Sequence, residues 1–98
     1  MHVGALHVEL RIRGMRSLKE KRRVVKRIIA EIGAPHPIAV AEVDHQNLWQ
    51  RSGLGIAAVS ASPGQVDRML ASITRDLEQR TDVEVLGTSR FYLDEGDR

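Results

Sequence analysis

Hydrophobic positions alternate from residue 2 to residue 13. Leu6, Val8, Leu10 and Ile12 fall on one face, and Val3, Ala5, His7, Glu9 and Arg11 on the other. A period of two with branched side chains predicts a strand with one buried face, ended by Gly14. The period then lengthens. Leu18, Val24, Val25, Ile28, Ile29 and Ile32 gather on one side at 3.6 residues per turn, which predicts a helix. Ser17 and Glu20 fit a capping box, with Ser17 accepting from the Glu20 amide and Glu20 reaching back to the Ser17 amide. Lys21 falls at the edge of the apolar stripe and is expected to snorkel. Gly33 suits a left-handed position just past the helix, and Pro35 and Pro37 block its continuation.

Residues 38–46 and 52–60 read as two further strands joined by a hairpin around Gln46–Arg51. Ala39, Ala41, Gly53, Gly55, Ala57 and Ala58 give them a flat surface with little bulk. Ser62 caps a second helix with Pro63 in its first turn, and Val66, Met69, Leu70, Ile73 and Leu77 form its buried stripe. Residues 82–93 are the last strand, and 94–98 a charged, frayed tail. The order strand, helix, strand, strand, helix, strand predicts an α+β, ferredoxin-like βαββαβ sandwich: one four-stranded antiparallel sheet with two helices on one face. Residues 1–93 form one domain.

Composition narrows the classes. At 98 residues and 42% hydrophobic the chain is globular and supports one modest core. With no cysteine, disulfides, thiol catalysis and cysteine-based metal sites are excluded. No apolar run approaches the ~18 residues of a membrane span, and the first residues do not read as a signal peptide. A cytoplasmic protein without membrane contact is expected. Charge changes the picture more. The net +2 hides a window, residues 11–27, with nine basic side chains against Glu20 alone, a local +8; the remaining six basic and twelve acidic groups give −6.

Two stretches carry a resemblance. One is Ser17-Leu18-Lys19-Glu20-Lys21-Arg22-Arg23, after an extended first strand. The other is Ala41-Glu42-Val43-Asp44-His45-Gln46-Asn47-Leu48-Trp49-Gln50-Arg51, running into Leu54-Gly55-Ile56-Ala57-Ala58-Val59-Ser60. In this order, over residues 1–93, they closely resemble the YlxP-like family of small bacterial proteins, a domain of unknown function with a ferredoxin-like fold. The Gly33–Pro37 turn and the tail are the least typical parts. Genes of the family commonly sit among genes for translation initiation and ribosome maturation, which implies a link to RNA or ribosomes by association. The resemblance implies no catalytic residues and no cofactor.

Candidate chemistry lies in two places. Arg13, Arg16 and Lys19 surround a helix N-terminus, and Arg22, Arg23, Lys26 and Arg27 extend the patch along the exposed helix face. Many cations with few acidic partners suit a phosphate backbone, so RNA or a ribosomal particle is the expected partner of a non-enzymatic binding protein. The hairpin gathers His45, Trp49 and Arg51 as a partner-binding set. Leu48 is expected to turn inward and Trp49 to stay at least partly exposed, with Arg51 supplying a cation beside it. Asp44 and His45, as neighbours in a strand, should point to opposite faces and make a poor base–orienter pair.

No metal site is expected, because none of His2, His7, His36 and His45 has the helical spacing of common zinc sites. The runner-up function is a homodimeric interaction module using the open sheet face. The third is a small enzyme acting on a phosphorylated ligand. An acylphosphatase-like site would pair a first-loop Arg with an Asn on a central strand, but the only Asn, Asn47, falls in the hairpin.

Overall fold

A computed structural model of the chain describes residues 1–94. The elements follow the hydrophobic pattern closely: β1 (His2–Ile12), α1 (Leu18–Gly33), β2 (Ile38–Asp44), β3 (Arg51–Ser60), α2 (Pro63–Glu78) and β4 (Val83–Asp94). The strands form one antiparallel sheet in the order β2-β3-β1-β4. Two βαβ units therefore interleave, each placing its helix on the same face of the sheet. This is the ferredoxin-like arrangement the element order predicts.

The core is the apolar face of the sheet closed by the two helix stripes. Leu6, Val8, Leu10 and Ile12 of β1 meet Leu54, Ile56 and Ala58 of β3, and Val24, Val25, Ile28 and Ile32 of α1 complete the cluster with Val66, Met69, Leu70, Ile73 and Leu77 of α2. All are buried. Ala58 therefore belongs to the helix-covered face. The open face carries Gly53, Gly55 and Ala57, which is what period-two alternation along β3 requires.

Several local expectations are corrected. Ser17 Oγ accepts from the Glu20 amide at 3.1 Å, but Glu20 Oε2 accepts from the Arg16 amide at 3.3 Å, one residue further back than a capping box. Gly33 is the last helical residue rather than a left-handed cap. Ala34 follows it in right-handed conformation, with its N–H on Ala30 O at 3.1 Å. The stop comes from Pro35 and Pro37, which cannot donate to the helix. Gly14, at φ +73°, makes the turn out of β1. Asp94, assigned to the tail by sequence, is the last residue of β4, and its Oδ1 lies 2.7 Å from His2 Nδ1. The rest of the expected tail, 95–98, lies outside the described residues.

The largest correction is Lys21. Instead of snorkelling it is fully buried. Its Nζ donates to Glu42 Oε2 at 2.6 Å and to the His45 carbonyl at 2.9 Å, and Ser52 Oγ donates to the same Glu42 oxygen at 2.7 Å. A buried ammonium is tolerated only when paired and hydrogen-bonded. Here the partners come from the β2–β3 hairpin, so α1 holds that hairpin in place.

Candidate functional site

The basic window emerges as one exposed surface. Arg13, Arg16, Lys19, Arg22, Arg23, Lys26 and Arg27 are all exposed, in the loop after β1 and along the outer face of α1. The apolar stripe of the helix faces the core, which leaves this face to solvent. Not all the cations are free. Arg13 lies 4.0 Å from Glu84, and Arg27 3.7 Å from Asp82, both acids contributed by the start of β4 and the loop before it. These are partners that counting acids inside the window could not find. Arg16, Lys19, Arg22, Arg23 and Lys26 have no carboxylate partner among the described residues. Lys19, Arg22, Arg23 and Lys26 line a groove of about 480 Å³ between α1 and β2, together with Val25, Ile29 and Glu42, the last already paired with Lys21.

The hairpin set divides. Residues 45–50 form a turn, with the Leu48 amide on the His45 carbonyl at 3.1 Å, and the chain is not extended there. Leu48 consequently does not turn inward: it is 50% exposed and Trp49 48%. Trp49 and Arg51 line one shallow hollow with Asn47, Leu48 and Gln50. His45 is turned away from it. Its φ of +60° swings the imidazole back over the open sheet face, where Nε2 meets Glu9 Oε2 at 2.9 Å. Arg51 also donates to Glu9 Oε2, at 3.0 Å, so its charge is already engaged.

The same region corrects the expectation for Asp44 and His45. The β2–β3 register shifts between Glu42 and Asp44. This bulge, together with the left-handed residue after it, brings both side chains to one face. There Asp44 Oδ2 lies 3.1 Å from His7 Nε2, and Glu9 Oε1 lies 3.6 Å from the same nitrogen. His7, Glu9 and Asp44 thus offer one atom each within 4.8 Å of one another. Gly53 makes the space: a Cβ there would sit 2.5 Å from Asp44 Cβ, 3.2 Å from Glu9 Oε1 and 3.3 Å from His7 Nε2. The signal was present in the sequence. His7 and Glu9 share the non-core face of a strand, but nothing in linear spacing reveals that Gly53 and Asp44 lie opposite.

Beside this cluster the open face is an apolar trough of about 380 Å³. It runs over Ala5, Ala39, Ala41, Gly55 and Ala57 between Val43 and Phe91. The small residues of β2 and β3 form its floor as expected, while Phe91 adds an aromatic wall from the edge strand β4.

Among the described residues, no helix is long and apolar enough to cross a membrane. A solved structure similar to the chain is a de novo designed protein with a ferredoxin fold, determined by solution NMR; the likeness covers 99% of this chain and 88% of that one, at 13% identity and a TM-score of 0.48. The uncharacterized protein YlxP of Bacillus subtilis (strain 168) is 34% identical over 82 residues, which are 84% of this chain and 89% of that protein. Residues 3–90 match the model of the family described as "Protein of unknown function (DUF503)". With its family match and its YlxP relative each spanning most of its length, the chain belongs to the DUF503 family.

Proposed function

We propose that the protein is a binding module for RNA, free or in a ribosomal particle, and that it contacts the phosphate backbone through the outer face of α1. The observation that carries this reading is the set of five exposed cations, Arg16, Lys19, Arg22, Arg23 and Lys26, with no carboxylate partner among the described residues. Faces laced with salt bridges alternate in sign; this one does not. Uncompensated cations spaced along a helix neutralise successive phosphates and release their counterions. The gene context implied by the resemblance favours RNA among polyanions. The test is the salt dependence of binding to single-stranded RNA. The log of affinity should fall linearly against log salt, and replacing Arg22, Arg23 and Lys26 with Gln should flatten that line by about 2, at roughly 0.7 per lost phosphate contact. An unchanged slope removes α1 from the interface.

A second reading rests on a different surface. Val43, Val59, Phe91 and Leu93 are large, apolar and exposed on or beside the open sheet face, and a two-fold dimer would cover them symmetrically. Sedimentation of the wild type beside Ala57→Glu separates this reading from the first. A wild type that stays monomeric at high concentration eliminates the dimer.

A further inference from the structure

We infer that His7, Glu9 and Asp44 form a binding site for a first-row divalent transition cation on the open face of the sheet. The reading is independent of the basic face of α1, which lies elsewhere on the molecule.

Four-coordinate zinc with ligand bonds of about 2.0–2.1 Å holds its ligand atoms about 3.3 Å apart. His7 Nε2 lies 3.1 Å from Asp44 Oδ2 and 3.6 Å from Glu9 Oε1, on either side of that edge length. The third pair closes within 4.8 Å. Two of the three edges therefore already match a coordination tetrahedron, and a small adjustment of the exposed Asp44 side chain would close the third. Three protein ligands leave a position open for water or an exogenous oxygen donor, as in zinc sites that are not purely structural.

The rest of the cluster fits a metal site. Only Glu9 Oε1 faces His7. The other oxygen, Oε2, accepts from Arg51 Nη2 at 3.0 Å and pairs with His45 Nε2 at 2.9 Å. Both contacts fix the carboxylate without occupying the ligating oxygen, which is the role outer partners play around metals. Arg51 offsets one of the two carboxylates, so the two acids and the guanidinium together present one net negative charge to a divalent ion. Gly53 leaves a cradle that any side chain would fill. The bulge at Asp44 and the left-handed His45 re-aim both residues toward it, and Lys21 holds His45 from behind through its carbonyl.

Ligand type sets the class of ion. An imidazole nitrogen with two carboxylates suits zinc, iron or cobalt better than magnesium or calcium, which take oxygen alone. His7 Nε2 and Asp44 Oδ2 lie within hydrogen-bond distance, at 3.1 Å. A cation bound at Nε2 uses that nitrogen's lone pair, so in the loaded site the ring carries its one proton on Nδ1.

The experiment is titration of the full chain with Zn2+ alone, followed by the 15N resonances of the imidazoles. One equivalent should shift His7 Nε2 to the metal-bound range, with His2 and His36 unmoved. By calorimetry, His7→Ala and Asp44→Asn should each lower the Zn2+ affinity by at least the roughly 10–100-fold that loss of an outer partner costs a metal site. The wild-type resonances give the answer even if a variant fails to fold. No imidazole shift, a shift confined to His2 or His36, or folded variants that bind Zn2+ as well as the wild type would each overturn the assignment.

Discussion

Lys21 Nζ lies 2.6 Å from Glu42 Oε2, and the lysine is wholly inside the protein. The pair joins α1 to the hairpin that carries His45, Trp49 and Arg51. Its net worth against an apolar pair is small, because two ions must be desolvated to make it. Breaking it is another matter, since one charge is then left without its partner. Lys21→Met should therefore destabilise the fold by about 3–5 kcal/mol, while Lys21→Met combined with Glu42→Leu should recover a large part of that loss. Thermal melts of the two single variants and the double variant measure the coupling. Simple additivity would show that the contact contributes nothing specific.

The basic face should behave in the opposite way. Arg22, Arg23 and Lys26 are exposed and lack carboxylate partners among the described residues, so their replacement by Gln removes no folded-state contact of consequence. Each change should alter stability by no more than about 0.5 kcal/mol. If the triple variant loses RNA binding while its melting temperature holds, the loss belongs to the interface. A drop of many degrees would mean that the face is structural.

How far the sequence led depends on which physical signal was needed. Alternation in β1 named its four core residues, and the 3.6 period named the stripes of both helices, because burial of a face repeats at the period of the backbone. Lys21 was misread because its position on the stripe was visible and its partner was not: Glu42 and Ser52 are brought to it by strand pairing. The cluster at His7 was hidden for two reasons. Its members come from different strands, and Asp44 reaches it only through a bulge that breaks the alternation rule used to dismiss Asp44 with His45. The acids opposing Arg13 and Arg27 were also remote in sequence. Local periodicity was legible; register between distant segments was not.

Trp49 tests the hairpin surface. At 48% exposed, it should emit at long wavelength and be quenched by iodide. Trp49→Ala should cost well under the roughly 3–5 kcal/mol of a core aromatic truncation. If the ring stacks on a base when the protein meets RNA, the same change should weaken that binding by about 1–3 kcal/mol. A blue, shielded emission would assign Trp49 to the fold instead. An RNA affinity unchanged by Trp49→Ala would confine recognition to α1.

Asp82 supplies a pH dependence with a definite sign. Arg80 donates to both of its oxygens, Nε to Oδ1 at 3.0 Å and Nη2 to Oδ2 at 2.9 Å, and its Nη1 reaches Glu31 of α1 at 3.1 Å. The guanidinium bonded to it holds the Asp82 carboxyl below the usual carboxylate range; partial burial works against this, and Arg27 adds a smaller pull in the same direction. A carboxyl with a depressed folded-state pKa stabilises the protein above its unfolded pKa, near 3.8. That contribution is lost as pH falls through the lower, folded value. Arg80 is raised by the same contacts, but it titrates far above this window. Asp82→Asn should therefore be less stable than wild type at neutral pH, by roughly 0.2–1 kcal/mol for a partly exposed pair. The two unfolding curves should converge as the pH drops below about 4. Denaturant melts of both proteins between neutral pH and pH 3 measure the difference; a gap that persists undiminished at the acid end would show that the ion pair is not its source.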